Sequence, residues 1–144
     1  MVSLTPVFTN DGELSRSKSS NDTLALVGRI LIAAIFILSG ASKLADPAGT
    51  IGYIASAGLP LPQLAFVGAA AVELLGGLAL VLGYRTRFVA LALAIFSVVA
   101  ALSFHSALSD QNQFIHFFKN IAMAGGLLQV AAFGGGTVAI DSRR

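Results

Sequence analysis

Glu73 is the one charged residue in LAFVGAAAVELLGGLALVL (64–82), nineteen residues of which the other eighteen are apolar or glycine. A carboxylate at that depth is too costly to face lipid. It can carry a proton, hold a ligand by hydrogen bonds, or pair with a cation from a neighbouring helix. Two lysines are on offer, Lys43 and Lys119, each inside another apolar stretch. Lys119 belongs to a set, His116, Lys119, Asn120 and Met123, whose 0, 3, 4, 7 spacing puts all four on one helical stripe. His105 closes the preceding apolar run, with Ser97 and Ala101 on its face. Arg29 and Lys43 are fourteen residues apart, which places them on one face about 21 Å from each other.

What these side chains can do is limited by their types. Two histidines and one glutamate at different depths lack the spacing of a metal site, so no metal is expected. No Ser or Thr has a forced histidine neighbour, which disfavours a nucleophile with its base. A structural ion pair, Glu73 with Lys43 or Lys119, stays open beside a pocket for a proton, a quinone or an anion. Direction favours the pair. Side chains lean toward the N-terminus of their own helix. On antiparallel helices Lys43 and Glu73 therefore lean toward each other, while Arg29 leans away and is expected to snorkel to lipid headgroups.

The elements that position these groups are read from composition. The chain has 144 residues, 56% hydrophobic and only 11% charged, roughly half the usual share of charge. One domain of that length cannot hide so much apolar surface, so an all-α integral membrane protein is expected. The absence of cysteine excludes disulfides and dithiol chemistry within the chain. A net charge of +2 gives no reason to expect nucleic acid.

Residues 1–23 are polar and without apolar periodicity, and read as a disordered tail. Four apolar runs follow, 24–45, 64–82, 88–104 and 114–133, each long enough to cross a bilayer or nearly so. A cleaved signal peptide is the rival reading of the first, but the run is long for one and Arg29 interrupts it. Asp46-Pro47 stops the first helix, and Ile51, Tyr53 and Ile54 suggest a short interfacial helix after it. Around Glu73, the positions one turn away are Ala69, Ala70, Gly76 and Gly77, small enough for a neighbouring helix to come close. Gly134-Gly135-Gly136 ends the fourth run, leaving residues 137–144 as a short tail.

Arg16, Lys18, Arg85, Arg87, Arg143 and Arg144 lie in the two tails and the middle turn, whereas loops 46–63 and 105–113 hold no Lys or Arg. The positive-inside rule then puts both termini in the cytoplasm. Lys43, Glu73, His105, His116, Lys119 and Asn120 fall in the outer half, and Arg29 on the cytoplasmic side. The domain reading is a tail at 1–23, a four-helix domain at 24–136 and a tail at 137–144.

The segments GRILIAAIFILSGASKLADP (28–47), GLPLP (58–62), VELLGGLALVLGYRTRFVALAL (72–93) and HFFKNIAMAGGLL (116–128) together resemble the DoxX family of small bacterial four-helix membrane proteins. The resemblance implies a four-helix bundle in the bacterial plasma membrane, with Arg29, Lys43 and Glu73 at recurrent charged positions. It also implies a link to membrane complexes for redox or oxidative-stress defence, through a redox-protein partner and a quinone. The first functional reading is thus an oxidoreductase subunit whose outer cluster binds quinone or a small sulfur oxyanion, the chain itself holding no cofactor. The second is a non-enzymatic scaffold or assembly factor. The third is a small proton-coupled transporter with Glu73 as its titrating group, for which four helices are few unless the chain forms a homo-oligomer.

Overall fold

A computed structural model of the chain describes residues 11–143. Among them there is no strand, and the order is α1 (Asp11–Ala45), α2 (Pro47–Ser56), α3 (Pro62–Leu82), α4 (Thr86–Phe104), α5 (Gln111–Phe133) and a closing 3₁₀ turn, Ile140–Arg143. Four of the helices, all but α2, are long and apolar enough to cross a membrane. Their outward faces carry large apolar side chains such as Leu31, Leu75, Phe88 and Phe133, the pattern of helices solvated by lipid.

The helix boundaries follow local chemistry. Asp46 accepts a hydrogen bond from the Gly49 amide and Pro47 opens α2, so one Asp-Pro step ends α1 and caps its successor. Pro62 likewise stands at the start of α3, where the missing N–H costs nothing. Asp110 caps α5 through the Gln113 amide. At Gly83, where α3 ends, φ is +70° and an added Cβ would lie 2.5 Å from the Ala139 Cβ; only glycine suits both conditions.

α1 packs mainly on α3 and α4 mainly on α5, while α3 with α4 and α1 with α5 touch less. The bundle is thus two tight helix pairs joined along a looser seam, with α2 lying on α3. Close approach depends on small residues. A Cβ on Gly77 would meet Ile37 at 2.7 Å and the Ala33 carbonyl at 3.3 Å. The core between the pairs contains Ala33, Phe36, Leu80, Leu93, Ala94 and Leu127.

Two expectations are corrected. Helix α1 begins at Asp11, so residues 11–23 are not an irregular tail; residues 1–10 lie outside the described ones. The apolar run nucleates the helix, and extending a formed helix costs little even for the Ser-rich stretch 15–20. By helical rise, the 35 residues of α1 reach about 52 Å, well beyond a hydrocarbon core of about 30 Å. Arg29, in turn, does not snorkel. It is 1% exposed, and its Nη1 and Nη2 donate to the carbonyls of Gly135 (2.7 Å) and Val81 (3.3 Å). The chain after α5 folds under the bundle and offers the Gly135 carbonyl, and the last turn of α3 offers that of Val81, so the guanidinium finds partners closer than headgroups.

That returning segment also caps α4. The Asp141 carboxylate accepts from the backbone amides of Arg85 (2.7 Å) and Thr86 (2.6 Å), and its own amide donates to the Gly83 carbonyl at 3.0 Å. Arg85 has φ +45°, a left-handed conformation unfavourable for a residue with a Cβ, and this carboxylate offsets the strain. Removing a helix-capping carboxylate costs about 0.5–2 kcal/mol. We therefore expect Asp141→Ala to destabilise the protein in detergent by that amount, read as a lower thermal midpoint, and an unchanged midpoint would show the cap to be idle.

Candidate functional site

Toward the His105 end of the bundle, α1 and α3 place two opposite charges in contact. Lys43 Nζ lies 2.9 Å from Glu73 Oε2 and 3.0 Å from Oε1. Ser39, one turn before Lys43, donates to Glu73 Oε1 at 3.1 Å and accepts from Lys43 Nζ at 2.9 Å. The three groups form a closed triangle in which every member is bonded to the other two. Gly40 faces this contact, since a Cβ there would meet the Glu73 Cβ at 3.3 Å. The glycine lets α1 and α3 come close enough for the pair to meet.

The two partners differ in burial. The Glu73 side chain is 7% exposed and that of Lys43 23%. Lys43 can draw on the wet end of the bundle, and Glu73 depends on Lys43 and Ser39. Only its Oε1 contacts have hydrogen-bond geometry. Oε2 is buried beside the ammonium and receives no hydrogen bond. Such an atom has charge compensation without a directed donor, a state that costs free energy unless a further donor is supplied.

Glu73 also borders a cavity of about 80 Å³. Its polar lining is Ser39, Glu73, Ser97, Lys119 and Asn120, so all four spanning helices reach it at the seam. Phe36, Phe96 and Met123 form the apolar wall. Ser97 is 1% exposed and its hydroxyl donates to the Leu93 carbonyl at 2.9 Å, leaving only its lone pairs for the cavity.

The remaining sequence candidates gather at the end of the bundle. The rings of His105 and His116 stack with centroids 5.1 Å apart. His105 Nδ1 donates to Gln113 Oε1 at 2.8 Å, and the Lys119 ammonium donates to His116 Nδ1 at 3.1 Å. Asn120 Nδ2 donates to the His116 carbonyl at 3.0 Å. Of the two lysines expected opposite Glu73, Lys43 makes the contact and Lys119 forms a separate wall of the cavity. Arg29 is elsewhere, at the Gly83 end. Among the described residues, no three His, Asp or Glu side chains converge as a metal set.

Ser39 is the hydrogen-bonding partner that charge counting misses. Its place four residues before Lys43 was the available signal, since i and i+4 share a helical face. Asp141 and Asp22, which accepts from the Thr137 amide at 3.2 Å, were missed because nothing local connects either carboxylate to backbone amides so far along the chain.

Comparison with known proteins puts this geometry in context. A family model described as DoxX matches residues 24–106, which takes in Ser39, Lys43, Glu73, Ser97 and His105 and stops before α5. The inner membrane protein YqjF of Escherichia coli (strain K12) is 37% identical over 124 residues, 86% of this chain and 94% of that protein. The inner membrane protein YphA of the same organism is 32% identical over 130 residues, 87% of this chain and 93% of that protein. No solved structure matches. With more than half of the chain inside the family model, and two relatives similar along nearly their whole length, the chain belongs to the DoxX family.

Proposed function

We propose that the protein is a subunit or accessory component of a redox or oxidative-stress complex in the bacterial plasma membrane. In this reading it presents a small polar pocket inside the bilayer to a redox-active partner. The observation that supports it is the Lys43–Ser39–Glu73 triangle beside a cavity walled by a second lysine. A buried pair needed only for helix register would be satisfied without a polar cavity next to it. The inner-membrane names of the two relatives support the location.

In this reading the cavity takes a ligand smaller than a quinone, since its volume of about 80 Å³ is far below the ~300–1,000 Å³ of sites for organic ligands. The chain's own residues can bind and orient a small polar molecule, and electron transfer belongs to the partner. The test is purification of the tagged, full-length protein in mild detergent, beside growth of a deletion strain under sulfur and oxidative stress. A redox protein copurifying in constant ratio and a sensitive deletion strain are expected. A chain that purifies alone from a strain indifferent to both stresses would overturn the reading.

The six-to-none division of basic residues also supports cytoplasmic positions for both termini. Reporter fusions at Gly12, Arg85 and the C-terminus should then report the cytoplasm, and fusions at Asp46 and Asp110 the opposite side. An external signal from either end would contradict this orientation.

A further inference from the structure

We infer that the cavity at the seam binds a small oxyanion that still carries a proton, a molecule of the size and kind of hydrogencarbonate. This names the occupant of the pocket in the proposed function and rests on that reading.

Size is the first argument. A cavity of about 80 Å³ offers the liquid volume of roughly two to three water molecules, enough for a four-atom oxyanion. Charge is the second. Two ammonium groups, Lys43 and Lys119, border the site or its partner, and Glu73 is the single carboxylate. His116 accepts from the Lys119 ammonium at Nδ1, so it is neutral and adds no charge of its own. The site therefore has one cation in excess, Lys119 at its exposed wall, which a bound anion can meet with a charge-assisted hydrogen bond.

The third argument is the pattern of donors and acceptors. Glu73 Oε2 is a buried acceptor with no hydrogen bond. Ser97, its hydrogen committed to Leu93, also offers the cavity only lone pairs. A fully deprotonated oxyanion has nothing to donate to either and would be repelled by the carboxylate. A cation would serve Oε2 and meet the two lysines. A protonated oxyanion serves both sides: its O–H donates to Glu73 Oε2, and a charged oxygen accepts from Lys119 Nζ. Access is from the His105 end, where Lys119 is exposed. At the other end Arg29 and the returning chain close the bundle.

The experiment compares hydrogencarbonate, nitrate and chloride at equal ionic strength as ligands of the full-length protein in detergent, read by thermal midpoint. Nitrate has the same planar shape and charge as hydrogencarbonate and lacks the proton. A saturable rise with hydrogencarbonate alone is expected. Lys119→Gln, at an exposed position that folding tolerates, should raise the half-saturating concentration about tenfold, as expected for one charge-assisted hydrogen bond. Equal rises with nitrate, or no rise with hydrogencarbonate, would overturn the inference. The same holds if Lys119→Gln responds as the parent does. These readings need no partner, so a protein that purifies alone yet binds hydrogencarbonate would sink the proposed complex and leave the ligand standing.

Discussion

Lys43→Leu should destabilise the detergent-solubilised protein by about 3–5 kcal/mol, the usual cost of leaving one member of a buried ion pair without its partner. The charge left behind is Glu73, whose side chain is 7% exposed and keeps only the Ser39 hydroxyl as a donor. Glu73→Leu should cost less, because the stranded lysine is 23% exposed and can extend toward water at the end of the bundle. The double variant Lys43→Leu/Glu73→Leu should recover most of the loss, since two apolar residues in place of a buried pair are often neutral or better. Thermal or denaturant midpoints of the four proteins check the order. Equal losses in the two single variants would show that burial does not set the asymmetry, and no recovery in the double would show that the pair is not the reason for the loss.

Arg29→Met should be comparably damaging through a different route. Methionine keeps the aliphatic bulk and removes the two guanidinium contacts to Gly135 and Val81. Hydrogen bonds from a charged donor contribute about 1.5–3 kcal/mol each. The Val81 contact is long and Arg29 Nε donates to nothing, so a total near 3 kcal/mol is expected. Because Arg29 holds the chain just after α5, the segment 137–143 should also become accessible to protease before the helices unfold. Arg29→Lys should not rescue, as one ammonium cannot replace a fork that spans two carbonyls. An unchanged midpoint together with a protected C-terminal segment would refute this assignment.

The contrast between these two cations shows where the sequence was legible. The four spanning helices were readable because lipid imposes apolar length on them and Pro, Asp and Gly mark their ends. Helix polarity brought Lys43 and Glu73 toward each other without deciding between Lys43 and Lys119, and Lys43 is the one that meets the carboxylate. Arg29 was misread by the same rule. Leaning told where its side chain starts and nothing of the chain that comes back to cover it. The carbonyls it binds belong to residues 52 and 106 positions away, a relation without local sequence signature. Residues 11–23 were misjudged for a similar reason, since a helix extended from a membrane span needs no apolar periodicity of its own. The cavity was beyond reach, as it depends on how far two helix pairs stand apart. Only its polar lining could be anticipated, from Glu73 and the His116, Lys119, Asn120 stripe.

If the Lys43–Glu73 pair serves a ligand as well as the fold, stability and growth should part company in the Lys43→Leu/Glu73→Leu double variant. Complementation of a deletion strain under sulfur or oxidative stress, with stability measured in parallel, reads both. The double variant should regain stability, insert normally and still fail to complement. Recovery of growth together with stability would contradict the ligand role, and would make the pair a device for holding α1 against α3.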